Sequence, residues 1–458
     1  MTASTLTAGS APAPGAGADG LGWALGAFIW LLPFHILTMA LLFGAFGVSA
    51  TVVRVLSAWK EMLAAALIAF VVVRALAGSR PRLTVRAADP VLAALGLLAL
   101  VYFLGAGVWF GYDIPLGAQA LGLRDAAGFC LLYFVGRCAP GIADDPRYLR
   151  AIVAVGVVTS VIAIFERLLV TPQALVLLGA TRYIKDFLGL GITTSHNPYG
   201  LPDSYWTILG SHLVQRAGST YLSSQGFAVQ FLVILPAATI ALFTAQRRRG
   251  WALAACAVLW AGLLLSITRV TTLACVIQLF VLAALYDRWA TVVRGAAIVT
   301  VVLAAALVAV PGFATLVLET LTWQSASSIS HLEIWGMGLA QLLEHPLGLG
   351  LGAGSLVAAR FGLPVIAGDN QYLTYSTTLG LPGLLLYAAV LVTLLAAGLR
   401  AFRTAGTASA RDYGALVAVA ALGIAINGIT TDLISNAFLS YTFFWLAGTA
   451  VSAIRDRV

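Results

Sequence analysis

The sequence predicts an all-α, polytopic integral membrane protein of about twelve transmembrane helices. Three observations carry this expectation. Of 458 residues, 60% are hydrophobic and only 10% charged, and the mean hydropathy is +0.96. A soluble domain of this length has no interior large enough to hide that much apolar surface. Apolar runs also recur at lengths that cross a ~30 Å hydrocarbon core as helices, which satisfy their own backbone hydrogen bonds in lipid. Finally, basic residues concentrate in alternate short loops, the pattern that orients such helices.

Taken in order, residues 1–20 are Ala, Gly, Pro, Ser and Thr with one acid and no basic region, so a disordered cytoplasmic tail is expected there and not a signal peptide. Residues 21–458 form a single transmembrane domain. Its twelve apolar segments fall near 23–45, 55–77, 90–110, 119–136, 150–170, 221–245, 251–267, 268–286, 295–318, 371–398, 413–431 and 437–454. The pair between Trp251 and Tyr286 is divided only at Ile267–Val270. Cys130, Cys138, Cys256 and Cys275 all fall in or at the end of spans, without metal or disulfide spacing, and read as small buried apolar residues.

The net charge of +8 is a topology signal and not a nucleic-acid footprint. With the amino terminus inside and twelve alternating spans, seventeen of the 26 basic residues fall in short inner loops, and both termini are cytoplasmic. The remainder, Arg54, Lys60, Arg124, Arg167, Arg182, Lys185, Arg216, Arg269 and Arg360, sit on the outer face or in outer halves of spans. Arginine at a membrane centre costs about 2.5–3.5 kcal/mol on insertion scales, so such residues face a cavity or a partner.

The same topology puts both long non-apolar passages, 171–218 and 319–370, outside. In the second, Leu332, Trp335, Leu339, Leu342 and Leu343 recur at helical spacing while Glu333, Gln341 and Glu344 fall off that stripe. A short amphipathic helix along the membrane surface is expected, ended by His345-Pro346. Gly348, Gly350, Gly352 and Gly354 follow at period two and allow sharp turning or close approach to a ligand. No Lys-Ser/Thr follows, so this is not a nucleotide loop.

Several residues have the chemistry of a site. Arg216 precedes the sixth span, where a guanidinium can fork onto two phosphate oxygens; the plainer reading is an interfacial snorkelling arginine. Arg269 lies in an otherwise apolar stretch of the chain and is expected to face a cavity as an anion ligand. Arg124 and Asp125, adjacent on a helix, serve either the site or an ion pair with another span. Asp369 is either a general base on a sugar hydroxyl, with Asn370 orienting the acceptor, or a helix cap. His331, His196, His212 and His345 show no metal-ligand spacing, and no metal site is expected.

At these residues the chain resembles the O-antigen ligase / O-antigen polymerase superfamily of bacterial membrane glycosyltransferases. Three passages carry the resemblance: "RAGSTYLSSQGFAVQFL" from Arg216, "SITRVTTLA" around Arg269, and "SHLEIWGMGLAQLLEHPLGLGLG" followed by "DNQYLTYSTTLGLPG". In the last, Gly380 and Gly383 stand eleven and fourteen residues past Asp369, as in the family. The family often has Arg where His331 stands, and ligases typically have His where Asp369 stands, so the Asp-Asn pair looks more like the polymerase branch.

The resemblance implies a GT-C-like fold in the bacterial inner membrane, a periplasmic active site, and no cofactor. Its implied partners are an undecaprenyl-pyrophosphate-linked glycan donor, a glycan acceptor, the bilayer and a chain-length regulator. Arg216, Arg269 and Arg124 would hold the pyrophosphate, and Asp369, or else His331, would take the acceptor's proton. Asn370, Tyr372, Trp335 and Glu333 would contact glycan. The leading expectation is a metal-independent, inverting polymerase of lipid-linked repeat units. Its alternatives are a ligase moving glycan to lipid A-core or another acceptor, and a transporter of polysaccharide or lipid-linked oligosaccharide. Against transport stand the long outer loops and the lack of visible repeat symmetry.

Overall fold

The computed structural model describes residues 16–77, 84–109, 114–190, 200–209, 212–245, 247–309, 313–322, 324, 326–366 and 368–455. Helices appear at every expected span. The first crossing combines α1 (Ala16–Leu31) with α2 (His35–Ala40), and the second combines α3 (Ala50–Ser57) with α4 (Trp59–Leu76). Next come α5 (Ala88–Trp109), α6 (Leu116–Arg137) and α7 (Arg147–Leu169). Short α8 (Pro172–Leu177) and α9 (Ala180–Arg182) lead to a hairpin of β1 (Trp206–Leu209) and β2 (His212–Gln215), with Trp206 opposite Gln215. Among the described residues this hairpin is the one sheet in an otherwise helical chain.

The second half holds α10 (Ser224–Val229), α11 (Phe231–Thr244), α12 (Arg249–Leu265), α13 (Arg269–Tyr286), α14 (Trp289–Ala309) and α15 (Phe313–Leu321). The chain ends with α16 (Ala326–Glu344), α17 (Leu356–Ala359), α18 (Gln371–Thr404), α19 (Ala408–Asn427) and α20 (Ala437–Ser452). Eight helical segments of the described residues are long and apolar enough to cross a membrane, and α12 and α20 are apolar but shorter. The protein is therefore a multi-pass, all-α membrane protein.

Three boundaries differ from expectation. Helix α1 begins at Ala16, so the last five residues of the expected tail are helical, while residues 1–15 lie outside the described residues. The span expected over 295–318 is two helices, α14 and α15, with the helix-breaking pair Pro311-Gly312 between them in sequence. The amphipathic helix expected from His331 starts earlier, at Ala326, and stops at Glu344, just before His345-Pro346.

Helices α11, α19 and α20 form the interior and are buried on nearly every face. Helix α20 lies so close to α6 that a Cβ on Gly136 would collide with the Trp445 carbonyl, and one on Gly448 with the Tyr133 carbonyl. Without a hydrophobic drive between helices in lipid, such small-residue contacts let dispersion hold the pair.

The glycine run after α16 has a structural purpose. Gly348, Gly350, Gly352 and Gly354 all adopt positive φ, between 65° and 98°. They carry the chain between α6 and α18, where Gly352 abuts the Ala118 carbonyl. Helix α18 breaks to receive them at Gly380, whose φ of 67° and ψ of −164° are non-helical. Leu349 and Gly350 donate to Thr377 and Thr378 carbonyls (2.7 and 3.1 Å), and Leu381 donates to Pro346 (2.8 Å). The spacing from Asp369 to Gly380 thus sets the helical stretch that ends at this break.

Charged groups gather at the two ends of the bundle. At one end Arg137 is buried and binds both Asp89 carboxylate oxygens at 3.0 Å. Its other donors reach Ser452 (2.9 Å) and the Thr84 carbonyl (2.7 Å). Tyr133 donates to Asp89 at 2.6 Å, Arg147 pairs with Asp145, and Tyr286 donates to Asp412 at 2.6 Å. The opposite end holds Arg216, Arg269, Asp369 and their surroundings.

Candidate active site

Arg216 is held rigidly. Its backbone N–H extends the hairpin by donating to Tyr205 (2.7 Å), and Ala217 donates to Leu265 at the end of α12 (3.0 Å). The Glu166 carboxylate accepts the next two amides, Gly218 at 3.2 Å and Ser219 at 2.5 Å, and so clamps the turn on which Arg216 sits. Ser219, Leu222 and Ile267 adopt φ near +50°, strained for residues with side chains. Ile267 belongs to the short turn Ser266–Thr268, where the expected break between α12 and α13 is found.

That turn joins the two arginines. The Arg216 guanidinium donates to the Ser266 carbonyl (3.0 Å) and the Thr268 hydroxyl (3.2 Å), and Arg269 follows at once as the first residue of α13. Burial, and secondarily the Arg269 charge, lower the Arg216 pKa to about 10. It stays cationic at neutral pH, yet the two like charges make an anion between them favourable. Glu319 is the acid that acts on Arg269. Of the hydroxyls after Arg216, Ser219 donates to the Thr159 carbonyl, Ser223 caps α10, and that of Thr220 is buried without a partner.

Asp369 and Asn370 divide differently from either expectation. Asn370 is the N-cap of α18: its side-chain oxygen accepts from Tyr372 (2.9 Å) and Leu373 (3.0 Å), and its amide donates to the Ile429 carbonyl (2.8 Å). Asp369 therefore is not the cap. Among the described residues its carboxylate makes no hydrogen bond, and burial holds its pKa above the usual range while His331 pulls the other way. The Nδ1 atom of His331, on α16, is buried without a partner.

The other expected glycan contacts scatter. Tyr372 donates to the Ala425 carbonyl (2.8 Å), which ties it to α19. On α16, Glu333 is exposed and Trp335 is half-buried. Asn370 and Tyr372 thus direct these polar groups to partners inside the protein.

Arg124 makes an ion pair with another span, one of the two roles the sequence leaves open for it. It pairs with its neighbour Asp125 at 2.7 Å, the long side chain folding sideways, and with Glu61 of α4 at 3.2 Å. Lys60 joins at 3.1 Å from Glu61, and Trp59 donates to His35 beside it. With two carboxylates on it, Arg124 belongs to an interhelical ion network, not to the Arg216–Arg269 pair.

One acid escaped the sequence reading. Asp432, in the turn between α19 and α20, faces Asp125 across a cavity of about 20 Å³, room for one water. Ser355, Gln371, Thr374 and Tyr375 complete the lining. Burial raises the Asp432 pKa to about 7, with the charges of Asp125 and Asp369 adding to it. Its signal in the sequence was a lone carboxylate between the last two spans, on the outer side of the alternating count.

The groups share one end of the bundle. Two residues beyond Arg269, Thr271 accepts from Asn427 at 2.6 Å. The adjacent Gly428 carbonyl accepts from Gln371 at 2.8 Å, and the Gln371 side chain accepts from Leu433 and Ile434 at 2.8 Å. A short run of buried hydrogen bonds thus connects the arginine pair, the Asp369 turn and the Asp432 turn. Among the described residues no group of three His, Cys, Asp or Glu side chains could hold a metal ion.

No curated protein matches the chain. Residues 254–388 match the family model described as O-antigen ligase, a segment that runs from α12 through the glycine run to the first half of α18 and holds Arg269, His331 and Asp369. The match covers less than a third of the chain, and it supports the resemblance of that segment to the O-antigen ligase / O-antigen polymerase superfamily.

Proposed function

We propose that the protein polymerises undecaprenyl-pyrophosphate-linked repeat units into a surface polysaccharide, on the periplasmic face of the bacterial inner membrane. The observation that carries this reading is the sharing of one bundle end by two adjacent guanidiniums and a half-buried carboxylate that caps no helix. The opposite end collects the arginine-rich loops, which supports a cytoplasmic placement for it and for both termini.

The donor's anomeric carbon is bonded to a pyrophosphate oxygen. The acceptor hydroxyl oxygen attacks that carbon from the far side, the carbon–oxygen bond to pyrophosphate breaks, and its electron pair leaves with the pyrophosphate. The configuration inverts. Arg216 and Arg269 stabilise the charge that gathers on the leaving group, in a setting whose turn is already fixed by Glu166 and Thr268. Asp369 takes the hydroxyl proton; its raised pKa brings it nearer the working pH, which suits a general base. His331, beside it, is the alternative base. Asn370 acts as a positioning residue by fixing the turn that carries Asp369.

The matched family description favours a second reading, a ligase that passes finished glycan to lipid A-core or another acceptor. Purified protein given only a synthetic lipid-linked repeat unit separates the two. A ladder of longer lipid-linked glycans is expected from a polymerase. An unchanged single band, with transfer appearing only when lipid A-core is added, would establish the ligase instead.

A further inference from the structure

Away from the candidate active site, the bundle opens a groove of about 800 Å³ between α7, α11 and α12. Its position is a consequence of small side chains: Ala154, Ala241 and Ala254 contribute from the three helices, and the rest of the wall is mainly aliphatic. In water such a furrow would be a liability, but in a bilayer it is a slot for a hydrocarbon chain.

One rim of the groove is cationic. Arg150, in the first turn of α7, and Arg248, just before α12, both line it and both are exposed. Among the described residues neither makes an ion pair; Arg150 reaches only the Pro146 carbonyl in its own turn, at 3.5 Å. Trp251 lies beside them, 80% exposed, where an indole marks the membrane interface. The acid at this rim, Asp412, accepts the Tyr286 hydroxyl at 2.6 Å.

A groove on the other flank of α7 supplies the contrast. It holds about 500 Å³ between α1 and α7 and has one arginine, Arg147. That residue is neutralised by Asp145 at 2.6 Å and stacks on Tyr148. An apolar slot alone takes any acyl chain; two guanidiniums at its mouth, neither in an ion pair among the described residues and together outnumbering the one acid Asp412, select a phosphate.

We propose that the groove between α7, α11 and α12 binds an anionic diacyl phospholipid, its phosphate between Arg150 and Arg248 and one acyl chain along the alanine wall. Basic pockets between helices at this end of a membrane protein meet the anionic leaflet directly, with about 1 kcal/mol available per cation. The site is distinct from Arg216 and Arg269, which lie at the opposite end of the bundle, and the inference stands whichever glycan reaction proves correct.

Native mass spectrometry of the purified full chain in detergent, titrated with phosphatidylglycerol or with phosphatidylcholine of the same acyl chains, tests it. One phosphatidylglycerol is expected per chain, held roughly tenfold or more tighter than phosphatidylcholine. The double variant Arg150→Gln/Arg248→Gln should bring the two lipids level, and Arg147→Gln should change neither. Ala254→Phe, which fills the slot, should weaken both; if that variant fails to fold, the arginine pair decides alone. Equal binding of the two lipids by the native chain, or undiminished preference in the double variant, overturns the proposal. So does tighter retention of undecaprenyl phosphate than of phosphatidylglycerol, since it would name a different occupant.

Discussion

The two ends of the bundle treat charge in opposite ways. At the basic end Arg137 meets Asp89 through two 3.0 Å contacts and satisfies its remaining donors on Ser452 and Thr84, while Tyr133 and Tyr286 occupy the acids. At the other end, beside the Arg124–Asp125–Glu61 network, like charges act on each other: Arg269 on Arg216, and Asp125 and Asp369 on Asp432. Both arrangements carry buried ionisable groups, so burial does not separate them. The sign of the neighbouring charge does. A pair of opposite charges holds helices together, whereas two like charges side by side favour a ligand or a proton.

Substitutions at the two ends should therefore fail in different ways. Removing Arg137 as Arg137→Ala leaves the half-buried Asp89 with only the Tyr133 hydroxyl and the Arg86 amide as donors, a loss of up to about 3 kcal/mol. The yield of folded, monodisperse protein should collapse, and normal yield would mean that the basic end is not the structural one. Arg216→Ala and Arg269→Ala should do the reverse, inserting normally while transfer falls about 100- to 1,000-fold. Retained turnover in either would remove its pyrophosphate role.

The smallest effect sharpens the contrast within one residue. The Asp432 pKa is raised on folding from the ordinary carboxylate range to about 7. The folded state thus binds the extra proton, and stability is lost as pH rises through that window. Asp432→Asn removes the desolvated charge and should raise the thermal midpoint by a few degrees at pH 8. At pH 4 it should change little. Equal midpoints at both values would show Asp432 to be solvated.

What was legible in the sequence was whatever depends on local pattern. Hydropathy located the spans, and the charged-residue bias separated the two ends before any helix was placed. The Ser266–Thr268 turn is visible because Arg269 interrupts an apolar stretch, and α16 because its leucines recur at helical spacing. The family resemblance ties Gly380 to Asp369, although the reason lies in a tertiary contact: the glycine run wedges into α18 at that break.

Long-range contacts decided the rest. Asp369 and Asn370 are both competent caps, and the choice falls to Asn370 because its amide also reaches Ile429 across to the next connecting turn. The choice between site and ion pair stays open for Arg124 in the sequence because its second partner, Glu61, comes from a different span. Asp432 carries no motif, and it acquires meaning only when folding sets it across a water-sized cavity from Asp125.

The central claim is that Asp369 is the base at the end that holds Arg216 and Arg269. Single-turnover transfer by Asp369→Asn, measured beside its affinity for lipid-linked donor, tests that most directly. Asparagine keeps the shape and removes the proton acceptor, so the rate should fall about 100- to 10,000-fold with donor affinity nearly unchanged. The native rate should also decline as pH falls through the raised carboxylate pKa, and that limb should vanish in the variant. Transfer at near-native rate with the same pH profile would contradict the assignment and move the proton to His331.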